Sequence, residues 1–212
     1  GMTYLILDLR GNTGGYMDQA LLLSNMFLDR GEPIVYMEGL HQKREDYKAD
    51  GKGIMKDMKL TVRIDESSAS SSEIFAGAIQ DNDRGIIMGR RSFGKGLVQD
   101  PIFFTDGSGV RVTIARFHTP SGRCIQKPYG DDYDYDILKR YNDGEMLDAD
   151  SIKVNKSEIF YTLGGRTVYG GGGIVPDVFV PVDTTRVTDF YLKCNNKATT
   201  MRFASDFFDR NR

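Results

Sequence analysis

Residues 3–9, TYLILDL, make a short apolar run with β-branched and aromatic members, closed by Gly11, Gly14 and Gly15. The run predicts a buried strand ending in a turn. From Tyr16 to Arg30 the period changes: Ala20, Leu23, Met26 and Phe27 recur at helical spacing, and Gly31 and Pro33 stop the element. Ile34 to Met37 reads as the next strand. Strand, helix and strand in succession predict a right-handed crossover joining a parallel pair.

Residues 41–58 are polar and rich in charge and glycine, a surface excursion with room for a short hairpin. Leu60, Val62 and Ile64 then alternate with Lys59, Thr61 and Arg63, a strand with one buried face that runs directly into SSASSSEI, Ser67 to Ile74. A helix follows, with Ile74, Phe75, Ala78 and Ile79 as its apolar face and residues 81–85 as its end. Residues 85–89 predict another buried strand. Residues 97–104 and 109–117 predict two strands joined by a turn at Asp106-Gly107, with Val110, Val112 and Ile114 on one face.

After a turn at 118–122 comes an acidic, aromatic insertion at 131–150 with a short helix around Ile137 to Tyr141, and residues 157–166 are only weakly patterned. A glycine tract at 170–173 enters a final strand, 178–181. Helical spacing at 188–194 and 201–210 predicts an appendage. The expectation is therefore an α/β core over residues 1–183, interrupted by an insertion at about 127–160, and a helical appendage over 184–212.

At 212 residues, 40% hydrophobic and 27% charged, the chain has the composition of an ordinary globular protein. Its 28 basic and 30 acidic residues leave a formal charge of -2, which argues against a nucleic-acid binder driven by phosphate neutralisation. No apolar run reaches bilayer-spanning length. Two cysteines, Cys124 and Cys194, make no disulfide framework, and with only His41 and His118 there is no HExxH or multi-histidine metal motif. Asp132, Asp134 and Asp136 alternate like calcium ligands, but Ile137 stands where such a loop needs glycine, so a solvated acidic loop is expected instead. Cys124 lies six residues after His118, a spacing without special meaning for a thiol nucleophile.

The candidate chemistry lies in the hydroxyl run and in SFGKGLVQ, where Lys95 sits between Gly94 and Gly96. A serine hydroxyl needs a neighbouring base, and a desolvated, neutral lysine can be one. The pair Ser70 and Lys95 reads as a Ser-Lys dyad. Taken separately each has an ordinary reading: Ser70-x-x-Glu73 is a capping box, and a lone lysine is usually a surface residue. Gln99 is placed to orient the amine, or is simply a strand amide. The loop DLRGNTGG, Asp8 to Gly15, lies between strand and helix, where amides can hold an anion. That anion is an acyl-transfer oxyanion or a phosphate; for the second, Glu38 occupies the place of a ribose-binding acid, yet the spacing is G-x-x-G-G and not G-x-G-x-x-G.

Several motifs together resemble the C-terminal processing peptidases, or tail-specific proteases: DLRGNTGG at 8–15, SASSSEIFAGAIQD at 68–81, GRRSFGKGLVQ at 89–99, DGSGVRVTIARFHTPSGRCIQ at 106–126 and GGGIVPDVFVP at 171–181. The resemblance implies a ClpP/crotonase-like mixed-sheet core, Ser70 as nucleophile, Lys95 as base, Gln99 as orienting amide, and an oxyanion hole from the Gly14-Gly15 turn and the Ser71 N–H. It implies no metal or organic cofactor, extended polypeptide substrates cut near apolar C-termini, and a periplasmic or cell-envelope location. Family members usually carry a PDZ domain and further N-terminal strands, so this chain is expected to be the catalytic core of a longer protein. Ser71 stands where the family usually has alanine, and the acidic insertion matches none of its motifs. The other functional class this fold admits is a catalytically silent peptide- or ligand-binding module.

Overall fold

A computed structural model of the chain describes residues 1–130, 133–185 and 187–211. In chain order the elements are β1 (Tyr4–Asp8), α1 (Met17–Asn25), β2 (Pro33–Glu38), β3 (Glu45–Lys48), β4 (Lys59–Ile64), α2 (Ser71–Asp81) and β5 (Ile86–Gly89). There follow β6 (Leu97–Phe103), β7 (Gly109–His118), α3 (Asp136–Asn142), β8 (Ile159–Tyr161), β9 (Thr167–Tyr169), β10 (Val178–Phe179), α4 (Asp189–Asn196) and α5 (Thr199–Arg210). Residues 1–181 form one compact unit and residues 182–212 a second.

β1 has a parallel neighbour, but it is not β2. Every residue of β1 is in register with β4, from Tyr4 opposite Lys59 to Asp8 opposite Arg63, and β4 is in turn parallel to β5, which pairs with β10. The expected β1–β2 parallel pair is thus incorrect. β2 lies in a second, antiparallel sheet of order β3-β2-β7-β6, with β3 and β7 on its two edges. The crossover rule presumes that both strands share a sheet, and local patterning does not say which distant strand fills an edge.

The helix expected over residues 16–30 ends at Asn25. Its end is taken by the loop that follows β3: Met55 N–H donates to Met26 O (2.9 Å) and Asp50 N–H to Asn25 Oδ1 (2.8 Å). Gly53 presses so close that a Cβ there would lie 2.1 Å from Asn25 O. Met26 and Phe27 continue as a turn, and Phe27 is buried edge-on against Phe75, ring centres 5.8 Å apart.

α2 is buried all round and not on one face only: every residue from Ser72 to Asp81 is inside, against α1, β2 and β5. A helix in that position must satisfy its polar groups within the protein. Arg123, itself fully buried, donates to both Gln80 Oε1 and Asp81 Oδ1 at 2.7 Å. β5 is only half-buried, with Ile86 48% exposed. β6 and β7 form the predicted hairpin, Phe103 opposite Gly109, with a register shift between Val98 and Gln99. In the second unit the Thr188 hydroxyl caps α4 by accepting from Tyr191 N–H (3.1 Å), and no residue of α4 or α5 is buried. Among the described residues no helix is long and apolar enough to cross a membrane.

Candidate active site

Parallel sheets gather their working loops at the carboxyl ends of the strands. Here the loops after β1 (residues 9–16), β4 (65–70) and β5 (90–96) meet at that edge. Asn12 ties the first two: its carbonyl accepts from Ala69 N–H (3.0 Å), and the Ser72 hydroxyl reaches its O and Oδ1 at 3.0 and 2.9 Å. Gly14 lies directly on the start of α2. A Cβ there would meet Ala69 O at 2.5 Å, Ser70 Cβ at 2.8 Å and Ser71 N at 2.8 Å, and its φ of +87° adds a second reason for glycine.

The serines of the run divide by role. Buried Ser68 accepts from Asp65 N–H (2.9 Å) and donates to Leu9 O (2.8 Å), so its hydroxyl joins two loops, as that of Ser72 does. Ser70 instead lines a cleft of about 440 Å3 that also holds Lys95 and Gln99. It is the N-cap of α2, with φ 57° and ψ -117°, a region that ordinary side chains avoid. Such strain costs on the order of 1–3 kcal/mol and persists where the surroundings over-determine it. A strained serine between a strand and a buried helix is the geometry that presents a nucleophile.

What over-determines it is Glu73. This carboxylate is completely buried and accepts four hydrogen bonds: Oε1 from the Ser92 hydroxyl (2.5 Å) and Gly94 N–H (2.7 Å), Oε2 from Ser70 N–H (2.8 Å) and Lys95 N–H (2.9 Å). The capping interaction expected of Glu73 is present, but it is one of four. One carboxylate grips the backbones of both Ser70 and Lys95. Burial pushes its carboxyl up from the ordinary value, and the four donors work in the opposite direction.

Lys95 lies in a loop without regular structure, and its flanking glycines are there for close packing. A Cβ on Gly94 (φ +89°) would approach Gly173 N at 3.1 Å, and one on Gly96 would approach Gln126 N at 2.9 Å. Gln99, exposed, follows the register shift in β6. Among the described residues no hydrogen bond joins Lys95 Nζ to the Ser70 hydroxyl or to Gln99. In the glycine loop, Gly14 N–H donates to Asn12 Oδ1 (2.9 Å) and Gly11 N–H to Asp65 Oδ1 (2.9 Å). A phosphate there would meet occupied amides and the carboxylates of Asp8 and Asp65. Asp8 is held at about 2 by the guanidinium of Arg10.

Sequence reasoning missed a second grip on the lysine loop, from the insertion. Arg140 in α3 is buried and donates to the carbonyls of Arg91 (2.6 Å) and Ser92 (3.0 Å). Glu145 accepts from Arg140 Nε (2.8 Å) and from Arg91 at 2.7 and 2.5 Å. Lys127 Nζ stacks over the rings of Phe93 (4.1 Å) and Tyr133 (4.2 Å). No local motif announces these partners. Glu73 did leave a signal, as an acid followed at once by IFAGAI. Of the alternating aspartates, Asp132 lies outside the described residues.

The peptidase family S41 model matches residues 1–137, more than half of the chain. The chain belongs to peptidase family S41. A chloroplastic C-terminal processing peptidase of Tetradesmus obliquus is 42% identical over 127 residues, 60% of this chain and 27% of that protein. A probable CtpA-like serine protease of Staphylococcus epidermidis is 39% identical over 127 residues, 59% of this chain and 26% of that one. The solved structure of a photosystem II D1 C-terminal processing protease superposes with a TM-score of 0.59 at 31% identity, over 84% of this chain and 35% of that protease. This S41 chain spans about a quarter of the length of the curated relatives it matches. The mixed α/β architecture is that of S41 protease structures.

Proposed function

We propose that this S41 chain is the core of a serine endopeptidase that cuts polypeptides through Ser70 and Lys95. The observation that supports this best is the shared carboxylate: Glu73 binds the backbone N–H of both residues, and their side chains line one cleft. In the reaction the Lys95 amine takes the Ser70 proton as Oγ attacks the scissile carbonyl carbon. The oxyanion rests on Gly15 and Ser71 N–H at the positive end of α2. Gly14, whose N–H already serves Asn12, is then the packing residue of that turn and not a donor. Collapse breaks the C–N bond, the lysine ammonium protonates the departing amine, and Lys95 next deprotonates a water that hydrolyses the acyl-enzyme. No metal or organic cofactor enters these steps. Gln99, on the same cleft wall, orients the amine once substrate closes the site, since resting catalytic hydrogen bonds are commonly longer than reacting ones.

The same reading takes the core as ClpP/crotonase-like, the substrates as extended polypeptides with apolar C-termini, and the location as periplasmic or cell-envelope. Met17, Ile74, Leu97 and Phe117 give the cleft an apolar wall suited to such chains. One observation favours a second reading, a silent peptide-binding module: Ser70 and Lys95 are not hydrogen-bonded to each other. Hydrolysis of a denatured protein with an apolar C-terminus, across pH, separates the two. The peptidase reading expects cleavage that rises toward alkaline pH and is lost in Ser70→Ala and Lys95→Ala; binding of the same peptides with no cleavage by the parent protein supports the module.

A further inference from the structure

The cleft contains one cation that the reaction does not use. Arg111 lines it together with Ser70, Lys95 and Gln99. It stands on β7 opposite Pro101, and the next pair along that face is Gln99 with Thr113. Positions two apart on a strand share a face, so Arg111 and Gln99 project to the same side of the hairpin. Asp100, between Gln99 and Pro101, projects to the other.

Two further facts give Arg111 a direction. None of the described residues lining the cleft is acidic. Among the described residues the exposed Arg111 guanidinium has neither a carboxylate partner nor a hydrogen-bond acceptor; exposed Arg30 and Arg116 are likewise unpaired but do not line the cleft, and the arginines flanking the lysine loop, Arg90, Arg91 and Arg140, are all paired with carboxylates. Lys95 takes up and gives back protons in the proposed reaction, so Arg111 is the positive charge that persists through it, in a cleft whose other walls are largely apolar. Its fork of donors fits a carboxylate. Two strand residues and one strand spacing separate it from Gln99, roughly 7 Å along and 5 Å across. An extended peptide covers that span in about two to three residues.

We propose that Arg111 receives a carboxylate of the substrate, on the hairpin side of the cleft beyond Gln99. This rests on the peptidase reading of the cleft. The carboxylate comes either from the substrate's own C-terminus or from an Asp or Glu side chain, and the two sources are distinguishable.

Two peptide series with one apolar core test it, the first ending in a free acid or an amide, the second carrying Glu or Gln at each successive position on either side of the cut. The parent protein is expected to prefer the carboxylate member of one series by about tenfold in kcat/KM, mostly through KM. Arg111→Ala should erase that preference while leaving the amide members within about twofold, Arg111→Glu should invert it, and Arg111→Lys should restore part of it. Preference within the first series identifies the C-terminus as the source; within the second, an acidic side chain. No preference in the parent, or an equal loss on all peptides in Arg111→Ala, overturns the assignment. Binding of the same peptides to the Ser70→Ala protein, read by fluorescence polarisation with and without Arg111→Ala, tests the carboxylate contact without catalysis. A parent that cleaves nothing, with an acid-over-amide binding difference that Arg111 controls, would sink the peptidase reading alone; the absence of that difference sinks the Arg111 proposal whether or not peptides are cut.

Discussion

Replacing Glu73 by Gln keeps the size of the side chain and removes one acceptor from a carboxylate whose four partners all donate to it. With the new amide nitrogen at the Oε2 position, the N–H groups of Ser70 and Lys95 both lose their acceptor. With the nitrogen at the Oε1 position, Gly94 N–H is orphaned and the Ser92 hydroxyl, whose oxygen can accept from the amide while keeping its bond from Ile174 N–H, loses the acceptor of its own proton but is free to rotate. The second arrangement is the cheaper. One buried orphan amide costs about 1–3 kcal/mol, and turning the remaining charge-assisted bonds neutral costs about 1 kcal/mol each. Relief from burying a carboxylate offsets part of this. The expected net loss is about 2–4 kcal/mol, read as a lower urea midpoint at pH 7 with an unchanged slope. Amide exchange gives the local check: Gly94 should lose protection while Ser70 and Lys95 keep theirs. A Glu73→Gln protein within about 0.5 kcal/mol of the parent, with all three amides equally protected, would refute the claim that Glu73 holds the two loops.

Four shorter tests follow from the same geometry. Gly14→Ala forces a Cβ against Ala69 O and Ser71 N at φ +87° and should cost at least about 2 kcal/mol, whereas Gly15→Ala, with nothing within 4 Å, should cost under about 1; chemical denaturation of the pair decides it. Ser68→Ala should destabilise by about 1–2 kcal/mol through lost loop-joining bonds, while Ser70→Ala should leave stability within about 0.5 kcal/mol and abolish peptide hydrolysis. Arg140→Ala strips Glu145 of one of its two arginines and two carbonyls of their donor, so a loss of about 3 kcal/mol is expected in thermal melts, with partial recovery in Arg140→Lys. Asp8, lowered to about 2 from 3.8, stabilises the folded state above pH 4 and loses that contribution as the pH falls toward 2; Asp8→Asn should flatten the acid side of the stability profile measured by circular dichroism.

The local elements were legible in the chain because they depend on short-range rules. Period-2 and period-3.6 patterning marks β4 and α2, turn chemistry marks the β6–β7 hairpin, and the hydroxyl run sits where a strand hands over to a helix. The order of residues also placed Ser70, Lys95 and Gln99 in one motif set before any distance was known. Partner choice was not legible. β1 pairs with β4 and not β2, because an edge accepts whichever strand the rest of the core delivers to it, and that depends on the whole packing arrangement. For the same reason α2 is buried on every side although its pattern shows one apolar face, and Glu73 is a four-way acceptor although its spacing shows one cap. The grip of Arg140 and Glu145 on the lysine loop joins residues some 50 positions apart through buried charge. Charges far apart in sequence carry no local signature of whom they will meet; desolvation in the folded core is what makes each of them require a partner.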